Sequence, residues 1–198
     1  MKKSIKPPPF LPNHREPLTT FFFEAFDYTL KNEGEFSNHP ADHGGPTRWG
    51  IIQSEYSKYI GHPASIGEMK NLPVEHAKDI YRKNYWVPLS LDKIESIEIA
   101  IAIFDRAVLN GLTGCSRLVR QALGELENGQ ANFDSQIDII NMTAPTAFVM
   151  RLADACEYQH RARVSAHPDQ RVFLKGWLNR VNRMRRELGD GTEGSVEG

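Results

Sequence analysis

TFFFEAFDYTLKNEGEFSNHPADHGGPTRWGI, residues 20–51, decides how the chain folds. Its first third carries Phe22, Phe23, Phe26 and Leu30 at helical spacing, which predicts one apolar stripe on a helix that Thr19 or Thr20 caps and that runs to about Asn32. The part from Glu33 to Gly50 holds four glycines and two prolines and has almost no helical periodicity, so it reads as a long ordered loop or a small β-hairpin element. Irregular stretches of that length inside a compact domain are usually functional.

Outward from this stretch the pattern is helical. Pro73 suits the first turn of a second helix, with Val74, Ala77, Ile80, Tyr81 and Tyr85 on its buried side and Pro88 ending it. Ile94, Ile97, Ile101, Phe104 and Val108 mark a third, strongly amphipathic helix that stops at Asn110–Gly111. Beyond Gly114 come three further apolar stripes: Leu118, Val119, Ala122 and Leu123; then Phe148, Leu152 and Ala155 after Pro145; then Phe173, Trp177, Val181, Met184 and Leu188. This half shows no strand-like alternation, so the fold class is mainly α.

At 198 residues the chain is long enough for one compact unit with two lobes. Residues 1–17 form a proline-rich tail and residues 189–198 a glycine-rich acidic one, both expected to be disordered; residues 18–110 and 111–188 make the two lobes. No apolar run approaches the ~18 residues of a membrane span. The tail opens with lysines, but prolines stand where a secretory apolar segment would follow, which predicts a chain that is cytoplasmic at synthesis.

Net charge is only −1, yet residues 151–188 hold 9 Lys/Arg against 4 Asp/Glu. That basic lobe is either a solvated helix face or a surface drawn to an anionic polymer such as the bacterial envelope. It lacks the aromatic interleaving of a nucleic-acid platform. Cys115 and Cys156 read as buried free thiols.

The chemistry concentrates between Glu33 and Thr47. A carboxyl at the end of an apolar helix, just before a glycine turn, can be partly desolvated; a raised pKa then lets it protonate the leaving oxygen of a sugar link. Nine residues on, Asp42 supplies a second carboxylate, and Thr47 a hydroxyl carried back by Gly44, Gly45 and Pro46; together they can orient an attacking water. Glu35 is the rival second carboxylate, because the Gly34 turn can bring it beside Glu33. No metal or cofactor is needed for such chemistry.

Trp49, Tyr81, Tyr85 and Trp86 offer aromatic faces to pyranose rings, or else pack in the core. His39, Asp42 and His43 raise a zinc amidase as another class of enzyme, although Pro40, Gly44 and Gly45 oppose the helix that would align them. Cys115 as a hydrolase nucleophile lacks an assigned base.

The run EGEFSNHPADHGGPTRWGI, residues 33–51, resembles the signature of the glycoside hydrolase family 108 muramidases, matching at Glu33, Gly34, Asn38, Pro40, Asp42, Gly44, Gly45, Thr47, Gly50 and Ile51. Glu35 stands where that signature has a second glycine and Phe36 where it has tyrosine. FDRAVLNG, residues 104–111, is similar to a second element of the family and carries substrate-binding roles onto Asp105 and Asn110. FLKGWLNRV, residues 173–181, resembles the end of the helical peptidoglycan-binding domain that follows the catalytic part.

The resemblance implies a lysozyme-like helical fold and an N-acetylmuramidase. Glu33 would be the general acid in cleavage of the β-1,4 bond between N-acetylmuramic acid and N-acetylglucosamine. The Glu33, Asp42 and Thr47 order is also similar to that of phage-type lysozymes, which implies inversion at the anomeric carbon. The implied partner is the peptidoglycan glycan strand, met by a monomer in the periplasm or wall. Release by a holin or dedicated export machinery would bring the enzyme there, for host lysis or for wall remodelling. A peptidoglycan-binding module that does not cut is the alternative from another class.

Overall fold

The computed structural model describes residues 20–31, 36–37, 46–124 and 133–189. Helix α1 (Thr20–Leu30) forms where the phenylalanine stripe predicts it. Phe22 and Phe26 are each 1% exposed: Phe22 meets Trp86 and Phe104 edge-on, and Phe26 meets Tyr81 in the same way. Such tilted aromatic pairs hold a helix in one rotation about its axis, beyond the burial itself. Phe23 departs from the expected stripe: it lies at the helix edge, with the Lys78 ammonium 5.5 Å from its ring centre.

A small antiparallel sheet follows α1, in the order β1 (Phe36–Ser37), β2 (Thr47–Arg48), β3 (Ile51–Ile52). Thr47 lies opposite Ser37 on one side and Ile52 on the other. The two residues joining β2 to β3, Trp49 and Gly50, both have positive φ, 54° and 74°. A two-residue hairpin turn of that hand matches the twist of its strands, which is the reason a glycine is needed at Gly50.

Helices α2 (Gln53–Ile60), α3 (Ile66–Lys70) and α4 (Val74–Tyr81) pack behind this sheet. Ser65 and Glu68 form a reciprocal capping box that starts α3. α4 buries Ala77, Ile80 and Tyr81 and then loosens into a π turn (Arg82–Trp86) and a 3-10 turn (Val87–Leu89) around Pro88.

α5 (Ile97–Leu123) is the central element, with Ser96 accepting from the Ile99 amide at its start. The stop expected at Asn110–Gly111 is a bend instead: Gly111 leaves helical geometry at φ 68°, ψ 170°, and helical turns resume at once. After α5 come α6 (Ile137–Asn141), α7 (Pro145–Ala166) and α8 (Arg171–Met184), which ends in a π turn through Arg185–Gly189.

The buried residues form one cluster that runs from Phe22 to Leu188, across α1, α5, α7 and α8. Among the described residues α5 alone is long and apolar enough to cross a membrane, and more than half of its most apolar window is buried inside the fold. The architecture is mainly α with a small sheet after the first helix, as a lysozyme-like fold requires. One stripe behaves differently from its reading. Val181 and Met184 of α8 are buried, but Phe173 is 58% exposed and Trp177 only half-buried.

Candidate active site and an arginine-lined groove

Glu33, Glu35, His39, Asp42 and His43 lie outside the described residues, so the structure supplies the frame around them. On one side is the end of α1, fixed through Phe26 and through Tyr28, whose ring sits 4.2 Å from the Arg183 guanidinium. Burial, then the Asp105 charge, pushes the Tyr28 hydroxyl up to about 12. On the other side β1 and β2 pair, and Thr47 sits in the middle strand, half-buried. Glu33 and Glu35 therefore join an anchored helix to a paired strand, and Asn38 to Gly45 join two paired strands.

The tip of the sheet is held just as firmly. Trp49 Nε1 donates to the Leu72 carbonyl at 3.2 Å, and Tyr81 Oη donates to the Trp49 carbonyl at 2.8 Å. The Arg48 guanidinium lies 5.1 Å from the centre of the Trp49 ring. Trp49 and Tyr85 are half-buried, so each keeps an accessible part of its ring.

Three of the expected substrate-binding residues are placed elsewhere. Tyr81 and Trp86 are core residues at 2% and 0% exposure; Trp86 donates its Nε1 to Asp92 at 2.8 Å, and neither ring has a face left for a sugar. Asp105 is wholly buried between two guanidiniums, Arg106 beside it and Arg180 from α8. Burial pushes its carboxyl up, but the two arginines outweigh that and hold it below the usual carboxylate range. A carboxylate so enclosed fixes α8 against α5.

The cysteines are free and buried. Cys115 donates to the Ile103 carbonyl at 3.3 Å, and burial pushes its thiol well up, which leaves no thiolate for a nucleophile.

The basic lobe is less of an open charged face than its composition suggests. Arg180 pairs with Asp105, Arg183 with Glu187, and Arg185 with both Asp154 and Glu157. Neutralising these arginines would therefore break ion pairs, one of them in the core, as well as discharge a surface.

Sequence reading missed a groove of about 780 Å³ between α5, α7 and α8. Its walls include Asn110 and five arginines: Arg106, Arg163, Arg180, Arg183 and Arg186. The signal was present in the sequence: Trp177, Arg180, Arg183 and Arg186 recur three apart, which puts them on neighbouring parts of one helix surface. Since Arg183 both lines this groove and covers Tyr28, the groove abuts the last turns of α1, from which the segment with Glu33 continues.

Residues 26–111 match the model of a family described as Glycosyl hydrolase 108. No curated protein matches the chain. Among solved structures, one described as the structure of Brucella abortus SagA is 27% identical, with a TM-score of 0.67; the match covers 88% of this chain and 97% of that one. Residues 26–111 are thus similar to the glycosyl hydrolases of family 108, and the fold from α1 to α8 is similar to that of SagA.

Proposed function

We propose that the chain is a peptidoglycan hydrolase, an N-acetylmuramidase that cuts the β-1,4 bond between N-acetylmuramic acid and N-acetylglucosamine. The observation that carries this reading is the family match over residues 26–111, which contains the whole stretch from Glu33 to Ile51. The frame supports it, because the Glu33 segment runs from a packed helix into a paired strand, and an acid catalyst must be held within about half an ångström of its working position. In this reading Glu33 gives its proton to the glycosidic oxygen as that bond breaks. Asp42 takes a proton from a water aligned on the opposite face with help from Thr47, and the water oxygen bonds to the anomeric carbon. Trp49 and Tyr85, the aromatic candidates with accessible faces, border the glycan. Residues 111–188 act as the lobe that holds the polymer.

The test is Glu33→Gln, which keeps size and polarity but has no acidic proton to donate. Release of reducing ends from purified sacculi should fall by about 10²-fold or more, the usual scale for a lost general acid, with an unchanged melting temperature. Full activity in that variant would end the reading. Sacculus binding by the wild type without any release of reducing ends would favour a module that only binds.

A further inference from the structure

The groove between α5, α7 and α8 has an unusual balance of polar groups. Five arginines line it and, among the described residues, no carboxylate does; Asp105 is buried against Arg106 and Arg180, and Glu187 is paired with Arg183. Arg106 is 1% exposed, and its Nε has no hydrogen-bond partner among the described residues. On the same walls the side-chain oxygens of Asn110 and Gln159 are also buried without partners among the described residues. Buried polar atoms left this way are rare in folded proteins and call for a ligand, a water or another segment.

The mixture limits the chemistry of the ligand. Guanidiniums accept nothing and take a carboxylate or phosphate in paired hydrogen bonds, whereas amide oxygens need N–H or O–H donors. A bare hydrogen phosphate matches the first set but brings a single O–H for the two amide oxygens of the second. A peptide with free carboxylates offers both.

We propose that this groove binds the peptide stem of peptidoglycan, with Arg163 and Arg186 taking its carboxylates and Asn110 and Gln159 accepting from its amides. The identity of the ligand as a peptide stem rests on the peptidoglycan-hydrolase reading; the requirement for an anionic ligand that also carries hydrogen-bond donors rests on the groove alone. The wall is built to hold its shape. Trp177 stacks between neighbours, with His160 at 5.1 Å and Phe173 at 5.9 Å between ring centres, and the Arg163 guanidinium lies 5.6 Å from the same ring. Gln170 accepts from Arg163 Nε at 2.6 Å, which leaves the outer nitrogens of that guanidinium to the groove.

The experiment titrates the full chain with the synthetic tetrapeptide L-Ala-γ-D-Glu-diaminopimelate-D-Ala, followed by calorimetry and tryptophan fluorescence. The same peptide with its carboxyls amidated, and inorganic phosphate, are titrated in parallel. The free-acid peptide should bind at least tenfold more tightly than the amidated one, and phosphate at equal concentration should not displace it. Arg163→Gln with Arg186→Gln, both exposed and outside the Asp105 cluster, should remove that tenfold preference without shifting the melting temperature. Equal affinity for free and amidated peptide, displacement by phosphate alone, or no binding at all would each overturn the proposal, and the first comparison needs only wild-type protein. Reducing-end release from sacculi is measured beside it. Cleavage without peptide binding would sink the subsite alone, whereas peptide binding without cleavage would leave the subsite standing and remove the muramidase reading.

Discussion

Arg180 Nη2 on α8 donates to Asp105 Oδ1 on α5 at 2.5 Å, across 75 residues of sequence, while Arg106 holds the other carboxylate oxygen. One buried negative charge thus serves two guanidiniums. Asp105→Asn would leave both cations facing a neutral amide at a buried position. Uncompensated buried charge of this kind costs about 3–5 kcal/mol, to be read as a lower urea midpoint at unchanged slope. Arg180→Met leaves the Asp105–Arg106 pair in place and should cost less, about 1.5–3 kcal/mol. The reverse order would mean that Arg180 carries the packing of α8 by its stem rather than by its charge.

Acid stability should fall in two windows. His160 is held at about 4 by burial, then by the Arg106 and Arg163 charges, against about 6.5 for a free imidazole. Between those values the unfolded chain takes up a proton that the folded chain refuses, so stability declines as pH falls from ~6.5 to about 4, and neutral pH is unaffected. Asp105, held low, stabilises above its unfolded value of about 3.9 and loses that contribution only as pH drops below it. His160→Phe keeps a ring beside Trp177 and removes the first window. Melting temperatures between pH 7 and 4 should therefore fall less steeply in the variant; parallel curves would show that His160 titrates normally.

Two glycines make opposite predictions, although an added Cβ meets nothing within 4 Å at either. Gly111 sits at φ 68°, ψ 170°, a region that only glycine adopts at ease, so Gly111→Ala should destabilise by about 1–3 kcal/mol through backbone strain alone. Gly176 lies inside α8, and Gly176→Ala should stabilise by about 0.5–1 kcal/mol by restricting the unfolded chain. Thermal unfolding of the pair decides it, and a loss at both sites would mean that α8 needs its glycine for a closer approach.

The stereochemical course separates the two candidates for the second carboxylate. Inverting enzymes keep their carboxyls ~6.5–9.5 Å apart to admit water, and retaining ones ~5–5.5 Å. With Asp42 in the role, NMR of the first sugar released should show the α anomer, and Asp42→Asn should lose more activity than Glu35→Gln. A β anomer, or the opposite ranking, would assign the role to Glu35.

The helices were legible because burial has a period. Phe22, Phe26, Ile101 and Phe104 repeat at the spacing of one helix face, and all four are buried. Trp86 could not be read so: an aromatic residue looks the same in sequence whether its ring faces solvent or Phe22 and Phe104, and only the arrival of α1 decides. The arginines of α8 failed for a related reason. Their charge is visible in the sequence, and Glu187 four residues from Arg183 is a readable pair, but the partners of Arg185 and Arg180 lie 31 and 75 residues away, and an ion pair at such separations leaves no local pattern. The carboxylates proposed for catalysis are the converse: Glu33 and Asp42 are legible through their motif, while only the elements on either side of them are described.

The unbroken apolar cluster from Phe22 to Leu188 also bears on inheritance. Two lobes joined by a bare linker could be traded between proteins like beads on a string. Here α5 packs against both α1 and α7, and Cys115 beyond the bend donates to the Ile103 carbonyl before it, so removing everything after Gly111 would strip cover from the shared core and leave a sticky wound. Such a chain should melt in one transition, and Arg183, next to the buried Met184 of α8, reaches the Tyr28 ring of α1 directly. In the muramidase reading, the segment that carries Glu33 and the surface of α8 would then change together, as a single heritable block.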